Sequence, residues 1–321
     1  MKGKNRSLKN KTIDISVNDG REYLERCVKP CGIMSLADIT DRTINGDSFE
    51  VLSRLPDSFV DLLLVDPPYN LTKKFGDTSF NKMSSEQYEE YTEKWVLEVR
   101  HILKDTASIY VCADWESSLV IEKVISKYFN IRNRITWQRE KGRGTKNNWK
   151  NSMEDIWYAT VSDRFTFNAD DVKMRRRVLA PYKESGMAKD WEESADGRFR
   201  NTFSSNFWND ISIPYWSMPE NTAHPTQKPE KLYAKLILAS SDKGDFVFDP
   251  FAGSGSSLVA AKKLGRCYSG IEINEQYCVW SEKRLEEAIY NNSIQGYADG
   301  VFWERNTLAE QKKVLGKKLK K

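Results

Sequence analysis

Val60-Asp61-Leu62-Leu63-Leu64-Val65-Asp66-Pro67-Pro68-Tyr69-Asn70 sets an apolar run against an acid and two prolines. A run this short and this apolar reads as a strand buried on both faces, the kind found in parallel sheets. The surrounding text agrees. Residues 86–103 place Tyr88, Tyr91, Trp95, Val99 and Ile102 at helical spacing. Residues 107–112 and 131–137 read as strands with a helix at 117–128 between them, and 154–161 with 164–167 as a terminal strand pair. After a break, 229–240 (helix), 245–248 (strand), 256–264 (helix), 267–271 (strand) and 275–288 (helix) restore the alternation. Strand and helix taking turns predict an α/β fold with an open, mostly parallel sheet.

Composition bounds the answer. The 321 residues are 39% hydrophobic and 30% charged, as in globular proteins, and no stretch approaches the ~20 apolar residues of a membrane span. Five scattered cysteines fit reduced thiols in a cytoplasm, and Cys27 with Cys31 lacks the second pair of a zinc site. The net charge of +4 is mild, but basic residues gather at 141–150, 173–177 and 312–321, which points to a polyanion partner or to solvated surface.

Three loops carry the chemistry. Asp66-Pro67-Pro68-Tyr69 ends a strand, and ligands of open α/β sheets sit beyond the carboxyl ends of strands. The Asp66 carboxylate and the Pro67 carbonyl are a candidate acceptor pair for the two hydrogens of an exocyclic amine. Prolines stiffen the loop, and Tyr69 offers a face on which a base can stack. A strand-ending turn with Tyr69 in the core is the alternative. The second loop, Asp249-Pro250-Phe251-Ala252-Gly253-Ser254-Gly255, opens a helix, and Glu272 ends the next strand, where an acid can bind ribose hydroxyls. A dinucleotide site shares that geometry. However, Leu258 replaces the third glycine of its fingerprint, and Asp249 would repel a pyrophosphate but suits the amino group of S-adenosylmethionine. The third, Thr226-Gln227-Lys228-Pro229, either holds a methionine carboxylate or simply starts a helix. Asp47, after a short strand, either binds the cofactor's adenine amine or caps a helix.

Together these segments resemble the amino-methyltransferases of bacterial restriction–modification systems, in particular the β group. In that group the Asp-Pro-Pro-Tyr half precedes a target-recognition insertion and the Phe-x-Gly-x-Gly half follows it. The resemblance spans about residues 43–288. It implies a Rossmann-like, circularly permuted S-adenosylmethionine-dependent methyltransferase fold, with a seven-stranded, mostly parallel sheet and a reversed edge strand. It implies base flipping and direct attack of the amine on the sulfonium methyl, at N6 of adenine in double-stranded DNA, with N4 of cytosine as the alternative. RNA, a protein glutamine or a non-catalytic DNA-binding role are more distant readings.

Residue by residue, the resemblance assigns catalysis to Asp66, Pro67, Pro68 and Tyr69. It assigns the cofactor to Asp47, Asp66, Thr226, Gln227, Lys228, Asp249, Phe251, Ala252, Gly253, Gly255 and Glu272. The expected layout is an arm at 1–41, a catalytic half at 42–168, an insert at 169–223, a cofactor half at 224–290 and a basic tail at 291–321. Candidate DNA contacts are Asn70, Lys141, Arg143, Lys146, Arg175, Arg176, Arg177, Arg198 and Arg200. The insert aromatics Trp191, Trp208, Tyr215 and Trp216 are either its core or wedges. The expected partners beyond DNA are a cognate restriction endonuclease and a second copy of the chain, with no membrane.

Overall fold

Alternate residues of one strand enter two different cores. In a computed structural model, which describes residues 7, 9–75, 78–139, 146–178, 183–185, 187–188, 190–194 and 197–312, Val60, Leu63 and Val65 pack on one side of a sheet. Leu62 and Leu64 pack on the other. This is why the run is almost wholly apolar: neither face sees water. The main sheet holds β1 (Arg42–Asn45), β2 (Val60–Val65), β3 (Leu103–Ala113), β4 (Asn130–Gln138), β5 (Met153–Thr160), β6 (Phe207–Trp208), β7 (Phe246–Asp249) and β8 (Cys267–Glu272), in the order β1-β8-β7-β2-β3-β5-β4-β6.

All neighbours pair in parallel except around β5, which is antiparallel to both β3 and β4. The reversed strand is therefore interior rather than at the edge, and the short β6 adds an eighth strand beside β4. Residues 164–167, expected as a strand, form none. One face is covered by α1 (Ser85–Val99) and α2 (Ser118–Ile125), and the other by α3 (Glu230–Ser240), α4 (Ser256–Lys263) and α5 (Glu275–Tyr290). Helix α1 begins at a capping box in which Ser84 and Gln87 satisfy each other's backbone N–H groups. It ends before Ile102, because residues from 103 on join β3.

The insert makes a second sheet, in the order Glu192–Ser194, Gly197–Thr202, Met174–Arg177, Val301–Trp303, Tyr297–Ala298. Two of its strands come from the C-terminal segment: Val301–Trp303 runs parallel to Met174–Arg177. Val172, Met174 and Phe302 seat this sheet on Ala234 and Leu238 of α3. The N-terminal arm is laced to the body, with the Ile13 N–H donating to Asn221 O at 2.8 Å and Trp280 Nε1 donating to Ile15 O at 3.0 Å. Among the described residues, no helix is long and apolar enough to cross a membrane.

Candidate active site

Four adjacent strands deliver the sequence motifs to one edge. Asp47 follows β1, Glu272 ends β8, Asp249 ends β7, and Asp66 follows β2, so their side-by-side order in the sheet collects residues far apart in the chain. Beyond that edge lies a cavity of about 280 Å³, whose lining includes Asp47, Asp66, Tyr69, Phe251, Gly253 and Glu272.

The catalytic-loop side is a buried charge cluster. Lys228 Nζ lies 2.7 Å from both Asp66 oxygens, 3.0 Å from the Tyr69 hydroxyl and 3.2 Å from Glu154 Oε2. The Tyr69 hydroxyl reaches Asp66 Oδ1 at 2.9 Å and Glu154 Oε2 at 3.2 Å, and Arg139 pairs with Glu154 Oε1. The Lys228 and Glu154 side chains are each 4% exposed and that of Asp66 18%. Burial pulls the Lys228 ammonium toward losing its proton, but Asp66 and Glu154 outweigh it, and its pKa ends above the ordinary lysine value. Burial, then the negative charges of Asp66 and Glu154, push the Tyr69 phenol well above its usual range.

The glycine-loop side is held mostly by backbone. Glu272 accepts from the Gly253 N–H at 2.9 Å and the Asn274 N–H at 2.7 Å, and burial pushes its carboxyl up to about 7. Gly253 has φ +54°, and a Cβ there would stand 3.3 Å from His224 Nε2. His224 is half-buried edge-on against Tyr277, ring centres 4.3 Å apart; desolvation, then the Lys228 charge, pushes its pKa down to about 3. Arg284 Nη1 donates to Ser254 O at 2.6 Å and ties the loop to α5.

Several expected contacts lie elsewhere. Lys228 is directed at Asp66 rather than held free for a methionine carboxylate, because two buried acids claim it. Gln227 accepts from Thr222 N–H and Oγ1 and donates to Glu220 O, so its amide is committed to the turn, although it lines the cavity. Asp249 is not in the cavity wall: it accepts from Phe251 N–H and Ser257 Oγ and shapes the loop from behind, and burial pushes its carboxyl up to about 7. Gly255 faces α5, where a Cβ would meet Ser281 Oγ at 2.1 Å. Thr226, Phe251 and Ala252 do line the cavity, and Asp47 does so while also capping a helix through the Phe49 N–H.

Asn70 is buried, with its amide paired both ways to the backbone of Met83 at 2.7 and 3.0 Å, which removes it from a DNA surface. Lys146 is exposed, whereas Lys141 and Arg143 lie outside the described residues. The arginines divide by strand alternation. Arg175 and Arg177 share a face with Phe199, while Arg176 and Arg200 lie on the opposite one. Arg175 is packed, its guanidinium 5.1 Å from the Phe199 ring centre and 5.6 Å from that of Trp303; Arg198 covers Trp191. Trp191 and Trp208 are core, while Tyr215 and Trp216 are about half exposed. Sequence reasoning missed Glu154, Arg139, His224 and Arg284. For His224 the signal was its place at the head of the Thr226-Gln227-Lys228 segment.

Comparison with known proteins settles the family. Residues 60–283 match the family of N6/N4 methylases described as DNA methylase. The chain belongs to the DNA methylase family. Type II methyltransferase M.HpaI of Haemophilus parainfluenzae is 34% identical to this methylase over 250 residues, 76% of this chain and 74% of the relative. DNA adenine methyltransferase YhdJ of Escherichia coli (strain K12) is 32% identical over 279 residues, 83% of this chain and 92% of its own. Among solved structures, the PvuII DNA methyltransferase (cytosine-N4-specific) covers 78% of the methylase and 90% of its own chain with TM-score 0.58 at 18% identity. M1.HpyAVI in complex with S-adenosylmethionine covers 76% and 98%, with TM-score 0.51 at 20% identity. These two likenesses bear on the fold. The methyl donor of this methylase is S-adenosylmethionine and its substrate is DNA.

Proposed function

We propose that this DNA methylase transfers the methyl group to N6 of adenine in double-stranded DNA, as the modification partner of a restriction endonuclease. The observation that carries the reading is that Asp66 and Glu272 share one cavity, with the glycine loop between them. The cavity suits the cofactor. Its volume of about 280 Å³ is near the lower end of small-molecule sites, roughly 300–1,000 Å³. It also offers a left-handed glycine where backbone meets ligand, aromatic walls, and carboxylates for a cationic, hydroxyl-bearing molecule. Glu272 would take the ribose, Phe251 and Asp47 the adenine end, and Gly253 with Thr226 the methionine end. Bound there, the cofactor supplies an electrophilic methyl group on a sulfonium.

The chain's own residues prepare the nucleophile. An adenine amine attacks poorly because its lone pair is delocalised into the ring. Asp66 and the Pro67 carbonyl accept its two hydrogens and favour the tetrahedral nitrogen that attacks. Lys228, 2.7 Å from both carboxylate oxygens, fixes Asp66 in direction, and Pro67 and Pro68 stiffen the loop. The Tyr69 ring stacks on the extruded base, worth roughly 1–3 kcal/mol. Adenine is favoured over cytosine by the relative named a DNA adenine methyltransferase, which aligns with 83% of this chain. The endonuclease partner follows from the relative named a type II methyltransferase. Arg176, Arg198, Arg200 and Lys146 are the proposed DNA contacts.

The test is transfer of labelled methyl to duplex DNA followed by digestion to nucleosides. N6-methyladenine is expected, with transfer lost in Asp66→Ala. N4-methylcytosine overturns the base assignment, and unchanged transfer in Asp66→Ala overturns the catalytic one.

A further inference from the structure

Methyl transfer by Asp66, Lys228 and Tyr69 leaves Glu154 without a task. It stands near the start of β5, buried, with Arg139 on one oxygen and with both Lys228 Nζ and the Tyr69 hydroxyl 3.2 Å from the other. The same hydroxyl lies 2.9 Å from Asp66 Oδ1. One phenolic hydrogen therefore has a carboxylate on either side. The two acids line different cavities, which meet at His224, Thr226, Gln227 and Lys228. Asp66 lines the cofactor cavity, whereas Glu154 lines a second cavity of about 410 Å³, bounded by Trp137, Ile213, Tyr215 and Trp216.

Methyl transfer creates a need for such an arrangement. When the amine nitrogen forms its bond to the methyl carbon and the sulfonium–carbon bond breaks, the nitrogen must shed one N–H proton. The amine and the methyl donor meet beside Asp66, and a proton left on Asp66 would disable it for the next turnover. We propose that Glu154 is the proton outlet of the active site, connected to Asp66 through the hydroxyl of Tyr69. The amine proton passes to Asp66. The Asp66 carboxyl then returns it to the Tyr69 oxygen as the Tyr69 hydrogen moves to Glu154 Oε2, and Glu154 releases a proton to water in the second cavity. Tyr69 ends as it began, and one proton leaves for each methyl delivered. Lys228 is not the carrier, because an ammonium has no lone pair with which to accept. It holds both carboxylates in place, 2.7 Å from Asp66 and 3.2 Å from Glu154.

This inference rests on the assignment of Asp66 to the amine. It is tested in the full chain by following methyl transfer over many turnovers with saturating S-adenosylmethionine and duplex DNA. Glu154→Gln and Tyr69→Phe should each slow transfer by about 100-fold. Affinities for cofactor and DNA should stay within about twofold, and the double variant should be no slower than the slower single. Parent-rate transfer in Glu154→Gln, or losses that multiply in the double variant, would overturn the outlet. Formate added to Glu154→Ala separates a relay from simple support of Lys228. A relay predicts rescue only while the Tyr69 hydroxyl is present; equal rescue in Glu154→Ala/Tyr69→Phe means formate merely replaces a counter-ion and refutes the relay. If the parent enzyme methylates no exocyclic amine, the assignment of Asp66 fails instead, and the two failures are distinguishable.

Discussion

Two buried charge clusters flank α3, and they are built from the same parts. At its N-terminal approach, Lys228 bridges Asp66 and Glu154; within the helix, Lys231 and Lys235 close on Asp210 of the insert, with Lys235 Nζ 3.1 Å from Asp210 Oδ1. The differences are in access and in balance. Asp66 is 18% exposed and faces a cavity, whereas Asp210 is 2% exposed and is sealed between insert and helix. Burial lowers Lys235 to about 8 despite Asp210, while in the catalytic cluster two acids overcome burial and lift Lys228. Burial works to raise Asp210 too, but its two lysines outweigh that and hold its carboxyl below the usual range. Ion pairing and burial thus do not mark a functional site by themselves. An acid with a spare direction into a cavity does.

The two acids should respond differently to substitution. Asp66→Asn keeps the shape but removes the charge-assisted acceptor, so single-turnover transfer in the folded protein should fall by about 10²–10³-fold, while Glu154 remains to pair with Lys228. Asp210→Ala strands two buried ammonium groups and should cost about 3–5 kcal/mol in chemical denaturation. Transfer at saturating substrates, measured well below the unfolding transition, should remain near the parent rate. A rate loss in Asp210→Ala with unchanged stability would move that cluster into the machinery.

What the sequence disclosed follows the same division. Apolar runs such as Val60–Val65 and the two loops after their strands were legible because burial on both faces and a proline or glycine stop leave local marks. The partners of Lys228 were not, because its contact with Asp66 spans 162 positions and nothing nearby distinguishes a lysine paired to an acid from one awaiting a carboxylate. Glu154 reads as an ordinary polar residue at the start of a strand. The C-terminal strands of the second sheet are two and three residues long, too short to show a period, and the longer one finds its partner in the insert more than a hundred positions away. Asn70 stood beside a catalytic motif and drew a functional reading that its buried hydrogen bonds to Met83 do not support.

A pH titration sharpens the contrast between the acids. The folded Asp249 carboxyl titrates at about 7 because it is buried, far above an unfolded aspartate. Between roughly pH 4 and 7 the folded state therefore holds a proton that the unfolded state has released. Its contribution to stability is present at low pH and is lost as pH rises through 7, at up to about 1.4 kcal/mol per pH unit. Asp249→Asn should flatten the slope of urea stability between pH 5 and 7 by up to one proton. Glu272, with the same direction and value, should keep its share of the slope in that variant. An unchanged slope would show Asp249 to be ionised in its loop.

The smallest effect separates two arginines of the second sheet. Arg200 is 45% exposed and pairs at 3.3 Å with Asp190, an arrangement water can replace. Arg175 lies against Phe199 and Trp303 with its side chain 18% exposed. If Arg200, at the open part of its face, meets the phosphate backbone, Arg200→Ala should lower the slope of log K against log salt by about one and weaken binding to all sequences alike. Arg175→Ala should leave that slope alone and instead cost about 0.5–1 kcal/mol of stability per lost cation–π contact. The opposite outcome, with Arg175→Ala changing the salt slope and Arg200→Ala silent, would place DNA on the Phe199 face.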